Sequence, residues 1–199
     1  MHELILASQS PRRRHILMER GFVFRCIPIE VSEIPDKNLN VMDQISDLAH
    51  QKGEAAVESL KSLKSQDILV LAADTVVLLD GEILGKPKNW QDACEVLGRM
   101  SGREHQVITG YCLWDLSRDC PILGHEISHV EFRNLTKEEI IEYVNTGEPM
   151  DKAGSYGIQE EGKRLVKKYS GSFNNIVGLP IEKIEKVMQE NGWIIKKQS

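Results

Sequence analysis

Hydrophobic positions along this chain alternate between short continuous runs and helical spacing, a pattern typical of a mixed α/β protein. Strands are predicted at residues 4–7 (LILA), 22–27 (FVFRCI), 68–79 with a turn at Asp80-Gly81, 103–116, 126–132 and, shorter, around Leu165 and Ile176. Helices are predicted from a Ser10 cap to residue 20, over 41–63, from Asn89 to residue 100, from the Thr136 capping box to residue 146, and from Pro180. The order of these elements predicts a mixed sheet with flanking helices.

The composition is that of an ordinary globular protein. The 199 residues are 41% hydrophobic and 28% charged, without repeats or a linker-like change of composition, so residues 1–199 are predicted to form one domain. We expect any division of this domain to be into lobes around a cleft. The net charge of -5 argues against a surface that coats nucleic acid, and no apolar stretch suits a signal segment or membrane helix. We therefore expect a cytoplasmic protein without nucleic-acid or membrane partners.

Two segments match known motifs only superficially. HEISH at residues 125–129 has the zinc-binding spacing of a helix, but it lies in a predicted strand. There the two imidazoles would be about 13 Å apart at 3.3 Å per residue, too far to share a metal ion. GEILGKP at residues 81–87 lacks the spacing and the Ser or Thr of a phosphate-binding P-loop. It is better explained as a hairpin that carries Lys86 toward a cleft.

Asp74 stands within the apolar run VLAADTVVLL. An ionised carboxylate in such a run must be paired, bound to a metal or neutralised. Two alternatives remain open on the pattern alone: a reactive group at a strand end beside a cleft, or a structural aspartate bonded to backbone amides. Glu33, in a predicted surface loop, would by itself be a solvated charge.

The segment SQSPRR places a helix start beside two arginines. Ser10 precedes Pro11 at the first helical position, where free N–H groups and the helix dipole attract anions. Arg12 and Arg13 have the wrong sign for this end of a helix, unless a phosphate binds there. A solvated basic turn is the alternative, and the S-x-S-P-R-R combination favours phosphate.

A second polar segment, EPMDKAGSYGIQEEGK at residues 148–163, has the length of a functional loop. Its Gln159 carries an amide that both donates and accepts hydrogen bonds, so it is able to recognise the edge of a base.

Taken together, these segments resemble the Maf family of nucleoside triphosphate pyrophosphatases along almost the whole chain. The motifs, in family order, are LASQSPRR, VSE, LAHQK, AADTVVLLDGEILGKP, SGREHQVITG, EPMDKAGSYGIQ and GLPI. The resemblance implies hydrolysis of a nucleoside triphosphate to its monophosphate and pyrophosphate. It also implies an α/β fold with a mixed twisted sheet and flanking helices in two lobes around a deep cleft, as in the inosine triphosphate pyrophosphatases.

The resemblance also implies residue roles. Asp74 matches the family's proton acceptor, and Arg12, Thr75 and Gln159 match its base-selecting positions. The residues suited to bind the phosphates are Ser8, Arg12, Arg13, Lys52 and Lys86. Glu33 and Asp74 are expected to hold a divalent cation, magnesium or manganese.

AADT followed by DKAGSYGIQ resembles the branch of the family that acts on dTTP and UTP. Two alternatives stay open: the branch that hydrolyses 7-methyl-GTP, and a non-catalytic regulator of cell division. A homodimer is a further option, since dimers are common in such families.

Two departures from the family pattern stand out. Glu160 and Glu161 follow Gln159 where the family usually has a glycine directly after the glutamine, which places acidic charge near a triphosphate. Gly53 replaces the usual alanine beside Lys52.

Overall fold

The structure is a computed structural model of the chain, and it describes residues 1–31, 36, 38–61, 67–118 and 120–198. The strands are β1 (Glu3–Ala7), β2 (Phe24–Ile27), β3 (Ile68–Leu79), β4 (Glu82–Leu84), β5 (Glu104–Asp115), β6 (Cys120–Phe132) and β7 (Val166–Ser170). The α-helices are α1 (Pro11–Glu19), α2 (Val41–Ser59), α3 (Trp90–Met100), α4 (Lys137–Asn145), α5 (Phe173–Val177) and α6 (Ile181–Glu190). Short 3-10 helices cover Glu148–Asp151, Ala153–Ser155 and Glu160–Leu165.

The strands form a mixed sheet. Within the described residues their order is β2-β1-β3-β5-β6-β7, with β4 paired to β3. β1 is parallel to both β2 and β3, whereas β3 with β4 and β6 with β7 are antiparallel. The prediction of an α/β fold with a mixed sheet and flanking helices is confirmed.

The chain divides into two compact units. Unit 1 comprises residues 1–74, 109–126 and 178–199. Its core packs α2 against β1, β3 and β5 through Ala49, Ile5, Val70 and Cys112. Unit 2 comprises residues 75–108 and 127–177. Its core is built from the end of β3, helices α3 and α4, and the strands β5 to β7, with the fully buried side chains of Leu97, Phe132 and Tyr143 at its centre.

The predicted helix starts are confirmed by their caps. The Ser10 hydroxyl accepts from the Arg13 backbone N–H at 3.4 Å, and the Asn89 side chain accepts from the Asp92 N–H at 2.9 Å. Thr136 forms the full capping box at the start of α4. HEISH lies inside β6, as the alternating pattern predicts. No helix in the described part of the chain combines the length and the apolar character that spanning a bilayer requires.

The strand predicted around Ile176 is wrong, because residues 173–177 form α5. The Ser172 hydroxyl accepts from the Asn175 N–H at 3.1 Å, which caps this turn, and the buried Asn175 amide donates to the Val107 carbonyl oxygen at 3.0 Å. These two bonds outweigh the β-propensity of the Ile-Val pair. β6 also begins at Cys120 rather than at residue 126, and α2 ends at Ser59, while the predicted end at residue 63 lies outside the described residues.

Gly53 lies in the middle of α2 and faces the side chain of Cys112 on β5. A Cβ at position 53 would lie 2.7 Å from Cys112 Sγ and 3.8 Å from the Cβ of Ala72. Cys112 is fully buried, and this burial raises the pKa of its thiol to about 12. The glycine therefore makes room for the thiol and lets α2 approach the sheet closely beside Lys52.

We expect Gly53→Ala to destabilise the protein by about 1 kcal/mol, since overpacking outweighs the helix propensity that alanine gains. In a Cys112→Ala background the same change should stabilise by up to about 1 kcal/mol, because the space is then open. Urea unfolding of the single and double variants measures both effects. Equal effects in the two backgrounds would show that the thiol and the glycine are not coupled.

Candidate active site

Asp74 lies on β3 where Lys52 of α2 reaches the strand. Lys52 Nζ donates a hydrogen bond to Asp74 Oδ1, and the two side chains are only 13% and 12% exposed. Removing one partner of an ion pair so far from water leaves an uncompensated charge, so the two groups depend on each other. The hydrogen bond from Lys52 holds the side chain of Asp74 in place on β3.

Ser8 lies at the end of the neighbouring strand. β1 and β3 are parallel and their last pair is Ala7 with Ala72, so Ser8 follows this pair directly and Asp74 lies two residues beyond it on β3, which continues to Leu79. Ligands of parallel sheets commonly bind at the carboxyl ends of the strands, and β1 ends here. The register of the β1–β3 pair therefore brings Ser8 and Asp74 near each other.

The Ser8 hydroxyl is bonded to the first turn of α1. Ser8 Oγ accepts from the Ser10 backbone N–H at 3.1 Å and from the Arg13 guanidinium at 3.3 Å. Arg13 is 9% exposed, and its Nε also donates to the Gly178 carbonyl oxygen at 2.7 Å. The guanidinium therefore links the loop after β1 to the segment before α6.

The start of α1 is electropositive. The first turn holds no acidic residue, and the half-buried Arg12 lies in it. Helix dipole and guanidinium charge have the same sign here, which disfavours the isolated helix and favours an anion.

Unit 2 holds the other predicted site residues. Thr75 is half-buried on β3, Lys86 is exposed after β4, and Gln159 is half-buried between two 3-10 helices. The Gly154 N–H donates to the Gly85 carbonyl oxygen at 3.0 Å. The loop that carries Gln159 is thereby bonded to the hairpin that carries Lys86.

Gly154 is required at this contact. Its φ of +66° lies in the left-handed region, and an added Cβ would lie 2.7 Å from Cγ2 of Val77 on β3. The loop and the strand can therefore approach this closely only with glycine at the position.

The predicted residues thus fall into groups. In unit 1 the structure brings Ser8 to Arg13 and Lys52 to Asp74. In unit 2 it joins the segments that carry Lys86 and Gln159. Glu33, predicted as a metal ligand, lies outside the described residues. Among the residues that are described, no three His, Cys, Asp or Glu side chains are grouped so as to hold a metal ion.

Lys152 is a further candidate residue of the site, and the sequence pattern does not indicate it. Its side chain is only 12% exposed, and Nζ donates to the Glu148 carbonyl oxygen at 2.7 Å and to Asp151 Oδ1 at 2.9 Å. A lysine in a polar loop looks like a solvated charge, and the neighbouring aspartate was the only local sign of a partner.

His105, of the SGREHQVITG segment, is a buried residue of unit 2. Its Nε2 lies 2.7 Å from the hydroxyl oxygen of Tyr156, and its ring packs edge-on against Phe132. Burial lowers the pKa of His105 from 6.5 to about 4, so the imidazole is neutral at pH 7. Tyr156 belongs to the loop that carries Gln159, so His105 anchors this loop on β5.

The lowered pKa of His105 predicts a pH dependence of stability. Between pH 6.5 and 4 the unfolded chain binds a proton that the folded protein does not, so stability is lost as the pH falls through this window. We expect the free energy of unfolding to fall by up to about 3 kcal/mol more in the wild type than in His105→Gln. Urea unfolding at several pH values tests this, and parallel pH profiles of the two proteins would contradict it.

The chain is similar to proteins of one family over nearly its whole length. A family model described as Maf-like protein matches residues 3–191. A protein of Bdellovibrio bacteriovorus is 48% identical over 187 residues, which cover 94% of this chain and 97% of that protein. A protein of Aquifex aeolicus is 43% identical to this chain over 94% of both chains. A protein of Caldicellulosiruptor bescii is 39% identical, over 99% of this chain and 98% of that protein. All three bear the name dTTP/UTP pyrophosphatase.

Proposed function

Because this chain belongs to the family of Maf-like proteins, we propose that it hydrolyses dTTP and UTP to the nucleoside monophosphate and pyrophosphate. The observation that carries the proposal is the mostly buried Lys52–Asp74 pair on α2 and β3. It combines a proton acceptor with a cation, which attack of water on a phosphate requires. The names of the relatives support the choice of substrate.

In the proposed mechanism Asp74 accepts a proton from the water that attacks the α-phosphorus. Lys52 orients the Asp74 carboxylate and stabilises negative charge that grows on the phosphates. The Ser8 hydroxyl, the positive start of α1 with Arg12, and the guanidinium of Arg13 beside Ser8 favour binding of the triphosphate.

The remaining roles concern unit 2. We propose that Lys86 also binds the phosphates, and that Thr75 and Gln159, together with Arg12, select the base. An amide is suited to this task because a base that lacks the matching donor or acceptor leaves the amide unpaired. Specificity then depends on how firmly Gln159 is held.

A divalent cation, magnesium or manganese, would be held through Asp74, which is the one of its two proposed ligands that lies within the described residues. Asp74 contributes a carboxylate, and magnesium is commonly bound by one or two carboxylates together with substrate phosphates and water. Glu33 is the proposed second carboxylate. When bound, the cation would neutralise charge on the triphosphate. We further propose that the enzyme works in the cytoplasm.

The base preference is tested with the purified protein, magnesium or manganese, and a panel of dTTP, UTP, CTP, GTP and 7-methyl-GTP. We expect kcat/KM to be highest for dTTP and UTP. Preference for 7-methyl-GTP would assign the protein to the other branch. Absence of turnover with every nucleotide would favour the non-catalytic alternative.

A further inference from the structure

The loop that carries Gln159 closes on itself at two glycines. A Cβ on Gly162 would lie only 2.0 Å from the Gly157 carbonyl oxygen and 2.7 Å from the Tyr143 hydroxyl oxygen. The two limbs of the loop therefore touch at Gly157 and Gly162. We call this contact, with Tyr143 and Glu148 beside it, the loop neck, and residues 158–161 the loop apex.

One carboxylate holds both sides of the neck. Glu148 Oε1 accepts hydrogen bonds from the Tyr143 hydroxyl at 3.0 Å and from the Gly162 N–H at 3.4 Å. Glu148 Oε2 accepts from the Glu161 N–H at 3.1 Å. The Tyr143 hydroxyl oxygen accepts in turn from the Gly157 N–H at 3.2 Å. Glu148 is thus bonded, directly or through one phenol, to the backbone on each side of the apex.

The Tyr143 hydroxyl, which connects Glu148 to the Gly157 N–H, is held rigidly. Tyr143 is fully buried on α4, and desolvation raises its pKa, so it remains a hydroxyl that donates to Glu148. α4 is itself fixed by its capping box and by its packing in the core of unit 2. The neck is therefore attached to a rigid element.

The backbone of the loop apex is strained, so its conformation depends on the contacts of the neck. Ile158 is 5% exposed, and Gln159 after it is half-buried. Glu160 has a φ of +51°, a left-handed conformation that is strained for a residue other than glycine. Strained backbone persists only where surrounding contacts determine it. Glu148 supplies such contacts by direct bonds after Glu160 and, through Tyr143, by the bond to Gly157 before it.

We propose that Glu148 is a positioning residue for base selection, which through the loop neck fixes the amide of Gln159. This inference rests on the proposed function. A displacement of about 1 Å can cost on the order of 10²-fold in rate or binding, so the selectivity of an amide depends on the rigidity of its backbone. The chemistry at Asp74 does not use the neck.

The test compares Glu148→Ala and Glu148→Gln with Glu142→Gln, a matched control. Glu142 lies on α4 and is bonded to Arg164, but its side chain is 68% exposed. In Glu148→Ala we expect KM for dTTP and UTP to rise about tenfold or more with little change in kcat. The reason is that the variant loses binding energy that is equal in the ground state and the transition state. The ratio of kcat/KM for dTTP over CTP should fall by a similar factor.

Glu148→Gln should lie between the wild type and Glu148→Ala. Its amide oxygen can still accept from Tyr143 and Gly162, whereas its NH₂ group would oppose the Glu161 N–H. Glu142→Gln should behave as the wild type. Tyr143→Phe removes the link to Gly157 but keeps the two backbone bonds of Glu148, and it should lower the dTTP preference even if Glu148→Ala fails to fold.

The outcomes separate this inference from the proposed function. A dTTP to CTP ratio unchanged in both Glu148→Ala and Tyr143→Phe, or an equal loss for all nucleotides, would overturn the positioning role. Absence of turnover by the wild-type protein would instead contradict the proposed function. Thermal melting of each variant shows whether the fold is kept.

Discussion

Replacing Asp74 with asparagine is expected to lower kcat for dTTP by on the order of 10²- to 10⁴-fold, the usual contribution of a general base. Asparagine has nearly the same shape but cannot accept the proton of the attacking water. It also removes the charge that pairs with Lys52 in a site where both side chains are mostly buried. The loss should appear in kcat, because the proton is transferred in the transition state.

A matched control is Asp80→Asn. Asp80 lies just after β3 and loses the same charge on substitution, but its carboxylate is exposed and bonded to Arg103. We expect this variant to keep the kcat of the wild type. If Asp74→Asn retained activity within about tenfold of the wild type, Asp74 would not be the general base.

The second large effect is expected on stability, from Asp115→Ala. Asp115 is fully buried at the end of β5. Its Oδ1 accepts from the Ser117 N–H at 2.9 Å and from the Ser117 hydroxyl at 2.7 Å, and its Oδ2 accepts from Trp193 Nε1 at 2.8 Å. The His2 imidazole and the Arg118 guanidinium also lie within 3.5 Å of Oδ2. One carboxylate thus joins the end of a central strand to residues near both chain termini.

Alanine at position 115 should cost about 3 to 5 kcal/mol, since each hydrogen bond to a charged group contributes roughly 1.5 to 3 kcal/mol. Burial alone would raise the pKa of Asp115, but the hydrogen bonds from Ser117 and Trp193 outweigh it and lower the pKa. The carboxylate therefore stabilises the fold at neutral pH, and its contribution is lost as the pH falls through that lowered pKa.

Urea unfolding at pH 7 measures the effect. Asp115→Asn keeps the shape and one acceptor oxygen, so it should cost about half as much as alanine. A loss below about 1 kcal/mol in Asp115→Ala would show that this network contributes little to stability.

Local signals made much of the fold predictable. Ser10, Asn89 and Thr136 begin helices because their side chains bond to N–H groups only three residues away, which a short sequence window contains. The prediction failed at Ile176, where the Asn175 amide bonds to a carbonyl on β5. A partner 68 residues away along the chain leaves no mark in the local pattern.

The candidate site shows the same limit. Asp74 could be singled out because a carboxylate in an apolar run needs an explanation, but its partner Lys52 was assigned by family resemblance and not by spacing. Gly53 is a departure from the family pattern whose reason is the thiol of Cys112 opposite it, and no local pattern indicates that contact. Glu148 was not recognised at all, since its bonds to Tyr143, Glu161 and Gly162 form only when the loop closes.

The most direct measurement of the central claim is the identity of the products formed from dTTP. The purified protein is incubated with dTTP and magnesium or manganese, and nucleotides, pyrophosphate and orthophosphate are separated and quantified. We predict dTMP and pyrophosphate in equal amounts, both formed on the order of 10²-fold or more slower with Asp74→Asn. Formation of dTDP with orthophosphate, or no product from dTTP or UTP, would contradict the account.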